Sequence, residues 1–105
     1  MLQTGIDIVA MSRFKDRVKD ADALRRMFTE QELIYANGSV ETLAGIFAAK
    51  EAYAKAARVI PEWQSIEVVH DASGAPRIHA PQEIRASMSI SHDGDYAVAM
   101  VVIDK

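Results

Sequence analysis

The alternation of apolar and polar residues near the start of the chain predicts a β-strand. In residues 2–9 (LQTGIDIV), successive side chains alternate between two faces, as they do in a β-strand. Asp7 projects from the less apolar face, beside Gly5. Because glycine has no side chain, the sequence predicts free space next to the Asp7 carboxylate.

The next third of the chain has helical spacing and helix-capping residues. Residues 12–27 form a polar, helix-prone stretch with few apolar anchors. Thr29 followed by Glu32 matches a capping box, which predicts the start of a short helix. This helix is expected to stop near Asn37–Gly38, since both residues favour the backbone conformation that ends helices.

One long helix and several short strands complete the predicted fold. Residues 40–59 are rich in Ala, Leu, Glu and Lys, and a proline follows at position 61, which indicates a helix that starts at residue 39 or 40. Runs of β-forming residues between turn signals then predict strands at 65–70, 77–80, 87–91 and 95–103. We therefore expect an α+β fold, with a mainly antiparallel sheet packed on one long helix plus short N-terminal helices, as a single domain over residues 1–105.

The composition fits one globular domain and excludes several classes of protein. The chain has 105 residues, of which 50% are hydrophobic and 26% charged, and it contains no cysteine. A disulfide scaffold, a thiolate metal site and a cysteine nucleophile are thereby excluded. The net charge of −3 argues against nucleic acid as the main partner. The first apolar run contains Asp7 and has no basic segment before it, so we expect neither a signal peptide nor a membrane span, and a cytoplasmic protein.

A basic segment stands out within this acidic chain. Residues 13–26 carry six basic and three acidic side chains, among them Arg13, Arg17 and Arg26. Such a segment is most often a solvated helix face. The alternative is a docking surface for an acidic partner.

The long predicted helix holds a cluster of possible catalytic residues. Phe47, Glu51 and Lys55 follow one another at spacings of four, so they share one stripe of the helix. Glu51 and Lys55 in this order form a common helix-stabilising pair. The many alanines around them also let a ligand or another backbone approach closely, so the pair can instead line a groove.

Asp7 is a second candidate, because a carboxylate between Ile6 and Ile8 must be paired, bind a cation or escape to solvent. It either caps a helix that starts near residue 11, faces solvent at a sheet edge, or joins Glu51 in holding a hard cation. Mg²⁺ commonly takes one or two carboxylates and completes its shell with water and substrate phosphates. The three histidines lack the spacing of a zinc site, and His92 simply ends a strand before the last hairpin.

Four segments, in this order, resemble the holo-acyl-carrier-protein synthases, which are the small trimeric 4′-phosphopantetheinyl transferases. They are GIDIV (5–9), LAGIFAAKEAYAKA (43–56), IEVVHDASGAPRI (66–78) and SISHDGDYAVAMVV (89–102). The resemblance covers nearly the whole chain. It implies Mg²⁺-dependent transfer of the phosphopantetheine arm of coenzyme A to a serine of an apo acyl carrier protein, with release of adenosine 3′,5′-bisphosphate.

The resemblance also implies roles for individual residues. Asp7 and Glu51 match the magnesium-binding carboxylates, and Lys55 matches a lysine that stabilises or protonates the leaving phosphate. His92 is similar to a coenzyme A contact that comes from the neighbouring subunit of a homotrimer. Arg13 matches a basic residue that docks the acidic carrier protein, and charge alone adds Arg17 and Arg26 to that surface.

The chain departs from the family pattern in the half of the site that binds the nucleotide. Ile46 stands where the family usually has arginine, and AARVIPEW (56–63) replaces a glycine-rich GTG segment in a shorter loop. The connection NGSVET (37–42) lacks the basic residues often found there. An alternative is therefore a degenerate family member that binds carrier protein or nucleotide without catalysis.

Overall fold

One long helix packs on a three-stranded antiparallel sheet in the computed structural model, which describes residues 1–81 and 85–105. A separate two-stranded hairpin adjoins them. The elements in chain order are β1 (Leu2–Ala10), α1 (Met11–Arg17), α2 (Ala21–Met27), α3 (Glu30–Ala36), α4 (Val40–Ala57), a 3₁₀ turn (Trp63–Ser65), β2 (Glu67–His70), β3 (Pro76–His79), β4 (Arg85–Asp93) and β5 (Tyr96–Asp104). The predicted α+β class is confirmed.

The three-stranded sheet has β5 in its centre and β1 and β4 at its two edges. Asp7 of β1 lies opposite Ala99, which in turn lies opposite Ile90 of β4. The predicted hairpin joins β4 to β5 through a tight turn at Gly94, whose φ of 57° suits glycine. The sheet order puts the functional candidates of β1 and β4 on opposite edges.

The predicted helix-prone stretch 12–27 consists of two helices, because α1 ends at Arg17 and Asp20 caps the start of α2. Its side chain accepts a hydrogen bond from the backbone N–H of Asp22 at 3.0 Å. The capping box of α3 is confirmed: Thr29 and Glu32 exchange side-chain and backbone hydrogen bonds of 2.8 and 3.2 Å. Asn37 ends α3 in the left-handed conformation with φ 48°, as expected.

Helix α4 is buried along most of its length, since small residues let it lie close to the sheet. Five of its alanines are fully buried, namely Ala44, Ala48, Ala49, Ala52 and Ala56. The helix ends at Ala57, two residues before the predicted end, because Arg58 adopts a left-handed conformation and the Val59 N–H bonds back to Ala54. No helix within the two described ranges is long and apolar enough to cross a lipid bilayer.

The strand predicted from residue 65 begins at Glu67 instead. Residues 63–65 form the 3₁₀ turn, in which the Ser65 N–H donates to the carbonyl oxygen of Glu62 at 2.9 Å. β2 then pairs with β3 in an antiparallel hairpin, in which β3 begins at Pro76, one residue before the predicted strand 77–80. This hairpin contacts α3, α4 and β4.

Gly5 lies where β1 and α4 touch most closely. A Cβ atom at this position would lie 1.9 Å from the carbonyl oxygen of Ala52 and 2.8 Å from the backbone nitrogen of Ala56. No side chain fits there. The predicted space beside Asp7 is therefore filled by the backbone of α4, which brings the helix to the carboxylate.

The face of the sheet turned away from α4 exposes large apolar side chains, which we call the open face. Its exposed apolar residues are Leu2, Ile6, Ile8, Tyr96 and Met100, with 47–69% of each residue accessible. Ile6 and Met100 are direct partners in the β1–β5 register. An apolar row of this kind is typical of a surface that another protein covers.

We predict that Gly5→Ala lowers the free energy of unfolding by about 3 kcal/mol, since the added methyl group must push α4 from β1. Urea unfolding measures the change. Gly38→Ala is the control, because Gly38 has open space around it and only a positive φ of 83°, so about 1 kcal/mol is expected there. A loss at Gly5 no larger than at Gly38 would contradict the close contact.

Candidate active site

The carboxyl groups of Asp7 and Glu51 face each other between β1 and α4. Asp7 is only 9% exposed, and Glu51 is half-buried. Burial, and then the adjacent Asp7 carboxylate, raise the pKa of Glu51, whereas Lys55 and Arg17 oppose this rise. The structure brings the two acids together, and their role as metal ligands stays a prediction.

Lys55 binds Asp7 across the interface between helix and strand. Its Nζ donates to Asp7 Oδ1 at 3.0 Å and to the carbonyl oxygen of Ile6 at 3.0 Å. Lys55 thus reaches to β1 rather than only lying along α4 beside Glu51. The two other interpretations of Asp7 are wrong. Its side chain is buried against α4, and the N-cap residue of α1 is Ala10, with no side-chain hydrogen bond capping the helix.

Two grooves meet at Glu51. The arginine groove, of about 220 Å³, is lined by Asp7, Arg13, Arg17, Phe47 and Glu51 together with neighbouring residues of β1 and α1. The tryptophan groove, of about 350 Å³, lies on the other side and is lined by Glu51, Ala54, Lys55, Arg58, Val59, Pro61 and Trp63. Glu51 belongs to both grooves, so groups that enter from the two sides meet at its carboxylate.

The three arginines assigned to docking lie in different places. Arg13 and Arg17 line the arginine groove, and the guanidinium carbon of Arg17 lies 5.1 Å from the centre of the Phe47 ring. Arg26 is exposed on α2 and does not belong to the lining of either groove. The basic segment therefore divides between a groove wall and an outer surface.

His92 lies apart from the two carboxylates of the same chain. It sits on the edge strand β4, packs against Gly45, and its Nε2–H donates to the carbonyl oxygen of Glu41 at 2.9 Å. Asp7 lies on the opposite edge strand, β1, with β5 between them. The prediction that His92 and the acids come from different subunits agrees with this separation and stays a prediction.

A small pocket of about 230 Å³ surrounds His92. It also contains Ile46 and the stacked rings of Tyr35 and His70, whose centres are 3.8 Å apart. Burial lowers the pKa of His70. Among the described residues, no lysine or arginine lines this pocket, and Ile46 is 99% buried at the position where an arginine was expected from the resemblance.

A buried ion pair behind the site was not predicted from the sequence. Lys50 Nζ lies 2.7 Å from Glu32 Oε1, and both side chains are fully buried. Lys50 also donates to the carbonyl oxygen of Met27, while Glu32 Oε2 accepts from the Val68 N–H at 2.8 Å. Burial lowers the pKa of Lys50, and Glu32 opposes this effect. The pair connects α3, α4 and β2.

A sequence signal for this pair exists. Lys50 follows Ile46 by four residues and precedes Tyr53 by three, so it lies on the apolar stripe of α4. A lysine on such a stripe needs a buried acid. Glu32 was interpreted only as a capping residue, although its second oxygen remains available for another donor.

The amino-acid sequence matches a known family of enzymes. A family model described as the 4′-phosphopantetheinyl transferase superfamily matches residues 3–101. The chain belongs to this superfamily. The sequence-based assignment to the holo-acyl-carrier-protein synthases, and to an enzyme of that kind, is confirmed.

Individual relatives match over nearly their full length. The holo-[acyl-carrier-protein] synthase of Geotalea daltonii is 38% identical, with 97% of each chain covered. That alignment has 121 positions, more than the 105 residues of this chain, so the relative carries residues that this chain lacks. Among solved structures, the Helicobacter pylori synthase in complex with coenzyme A has a TM-score of 0.90 and 33% identity, with 96% of this chain and 99% of that chain covered.

The second solved structure agrees with the first. The Bacillus anthracis synthase, in complex with CoA (3′,5′-ADP), has a TM-score of 0.87 and 35% identity, and the match covers 96% of this chain and 94% of that chain. In both comparisons the matching fold extends over 96% of this chain.

The raised pKa of Glu51 leads us to predict how the stability of the folded protein depends on pH. A folded-state pKa above the ordinary value of 4.5 means that the charged carboxylate destabilises the fold once the pH rises through the folded-state pKa. We expect Glu51→Gln to be more stable than the parent at pH 7 without divalent cations, and to lose this advantage below pH 4.5. Thermal unfolding across this pH range measures it. A gain that does not depend on pH would contradict the electrostatic origin.

Proposed function

We propose that this chain transfers the 4′-phosphopantetheine arm of coenzyme A to a serine of an apo acyl carrier protein and releases adenosine 3′,5′-bisphosphate. The observation that carries the proposal is the meeting of Asp7, Glu51 and Lys55 at one point of a chain that resembles such synthases over its full length. The acceptor serine is the nucleophile, so residues 1–105 need no serine–histidine pair of their own.

The site fits a magnesium ion held by Asp7 and Glu51. Two carboxylates face each other, and Lys55 already compensates the charge of Asp7 with its ammonium group. No cluster of three or more acidic, histidine or cysteine ligands occurs within the described part of the chain, so water and substrate phosphates would complete the octahedron. Bound there, Mg²⁺ would neutralise negative charge on phosphate oxygens.

The chain's own residues suit the two sides of the transfer. Lys55 and Arg58 line the tryptophan groove, and their positive charges suit the pyrophosphate of the donor. The arginine groove opens beside Arg13, where an acidic carrier would dock. The serine Oγ–P bond forms as the bridging P–O bond breaks, and the electron pair goes to the leaving phosphate, which Lys55 stabilises. The serine proton leaves through water in the open groove.

The proposal includes a homotrimer with sites between subunits. The open face carries five exposed large apolar residues that need cover. His92 and Asp7 lie on opposite sheet edges, so one chain does not bring them together. A neighbouring copy that covers the open face would supply His92 to the donor bound at Asp7 and Glu51.

A non-catalytic family member is the second candidate. The neutral lining of the His92 pocket and the buried Ile46 favour it, because a phosphate there lacks a fixed cation among the described residues. The intact acids and Lys55 favour catalysis, since a binding protein has no need of two facing carboxylates whose charges repel.

Incubation with apo acyl carrier protein, coenzyme A and Mg²⁺, followed by mass spectrometry, tests the function. We expect the carrier to gain the arm, and Asp7→Asn or Glu51→Gln to lower turnover about 100-fold or more, because each removes charge from the metal site. Glu30→Gln, an exposed change on α3, is the control. Coenzyme A binding without transfer would favour the non-catalytic candidate, and normal rates in both amide variants would contradict the site.

Mixed oligomers test the shared site. His92→Ala and Glu51→Gln proteins, each impaired alone, are dissociated, mixed and reassociated, and turnover is measured. A mixed assembly contains some interfaces with an intact His92 and an intact Glu51, so partial activity should return. Mixing two separate preparations of Glu51→Gln is the control. No recovery in verified mixed oligomers, or a monomer at micromolar concentration, would count against the shared site.

A further inference from the structure

Arg17 is held against the wall of the arginine groove instead of extending from the surface. It is the last residue of α1, and its guanidinium carbon lies 5.1 Å from the centre of the Phe47 ring. Phe47 is buried and precedes Glu51 by one turn of α4. The guanidinium therefore lies beside the turn of α4 that carries Glu51, and its positive charge acts on that carboxylate.

The donors of Arg17 remain available at this place. The salt bridges found within residues 1–81 and 85–105 involve Lys19, Arg25, Lys50, Lys55, Arg77 and the N-terminus. Lys55, the other cation near Glu51, is already bound to Asp7 and to the Ile6 carbonyl oxygen. A phosphate that enters between the grooves meets Lys55 on one side of Glu51 and Arg17 on the other.

We infer that Arg17 is a catalytic residue that contacts the phosphoryl group during transfer, and not a docking residue for the carrier surface. The inference rests on the proposed function. A planar guanidinium donates two parallel hydrogen bonds to phosphate oxygens. It would stabilise the charge that develops as the serine Oγ–P bond forms and the bridging P–O bond breaks, without giving up a proton.

Steady-state kinetics separates a catalytic role from a docking role. For Arg17→Gln we expect kcat to fall about tenfold or more, KM for the carrier to change less than about twofold, and added salt not to restore the rate. Arg17→Lys keeps the charge without the planar fork and should recover part of kcat. Arg26→Gln is the matched control outside both grooves. Unfolding curves check that each variant is fully folded under the assay conditions.

A binding measurement tests the same contact without the carrier or donor. Inorganic pyrophosphate with Mg²⁺ is titrated into the protein by calorimetry, and Arg17→Gln is expected to weaken its affinity about tenfold while Arg26→Gln leaves it unchanged. If the parent transfers no arm but shows this dependence, the proposed function fails and the phosphate contact stands.

Two results would overturn the inference. A higher carrier KM with unchanged kcat, relieved by salt, would return Arg17 to the docking surface. Equal pyrophosphate affinity in the parent and Arg17→Gln would show that the guanidinium does not touch the phosphate.

Discussion

The contact between Gly5 and the backbone of α4 determines where Asp7, Glu51 and Lys55 lie. Because no Cβ atom separates the two backbones, α4 lies directly on β1 at Ala52 and Ala56. Asp7, two residues further along the strand, then meets Glu51 and Lys55 on the helix. A bulkier residue at position 5 would push the helix away from β1, and the hydrogen bond from Lys55 to Asp7 would become too long to hold. The geometry of the candidate site thus follows from a packing constraint outside it.

The same helix is fixed on its opposite side by the Lys50–Glu32 pair. Both carboxylate oxygens of Glu32 accept hydrogen bonds, and Lys50 also donates to the carbonyl oxygen of Met27. The hydrogen-bonding needs of both buried charges are therefore met. Adjacent residues of α4 therefore have different tasks. Through Glu32, Lys50 connects the helix to α3 and β2. Glu51 faces the grooves, where burial and the Asp7 carboxylate disfavour its negative charge. The buried pair fixes the position of the helix, whereas burial beside Asp7 makes the ionised form of Glu51 energetically costly.

Local sequence patterns predicted most helices and strands, but they predicted few of the contacts between residues distant in the chain. The strand with Asp7, the capping box at Thr29 and the hairpin at Gly94 each depend on a few neighbouring residues, so the sequence was sufficient. The Lys50–Glu32 pair and the Arg17–Phe47 contact join residues 18 and 30 positions apart, and no local pattern brings them together. The stripe of Phe47, Glu51 and Lys55 indicated a groove, but only the fold shows that Glu51 borders two.

The exposure of the open face follows from the small size of the fold. Within residues 1–81 and 85–105, α4 covers one face of the three-stranded sheet, whereas the large apolar side chains of the other face stay exposed. Self-association would bury the open face, at about 25 cal/mol for each Å² of apolar surface. The same step would bring the His92 edge of one copy to the carboxylate edge of another. Assembly and catalysis would then depend on the same contacts, so that an isolated subunit would be both less stable and inactive.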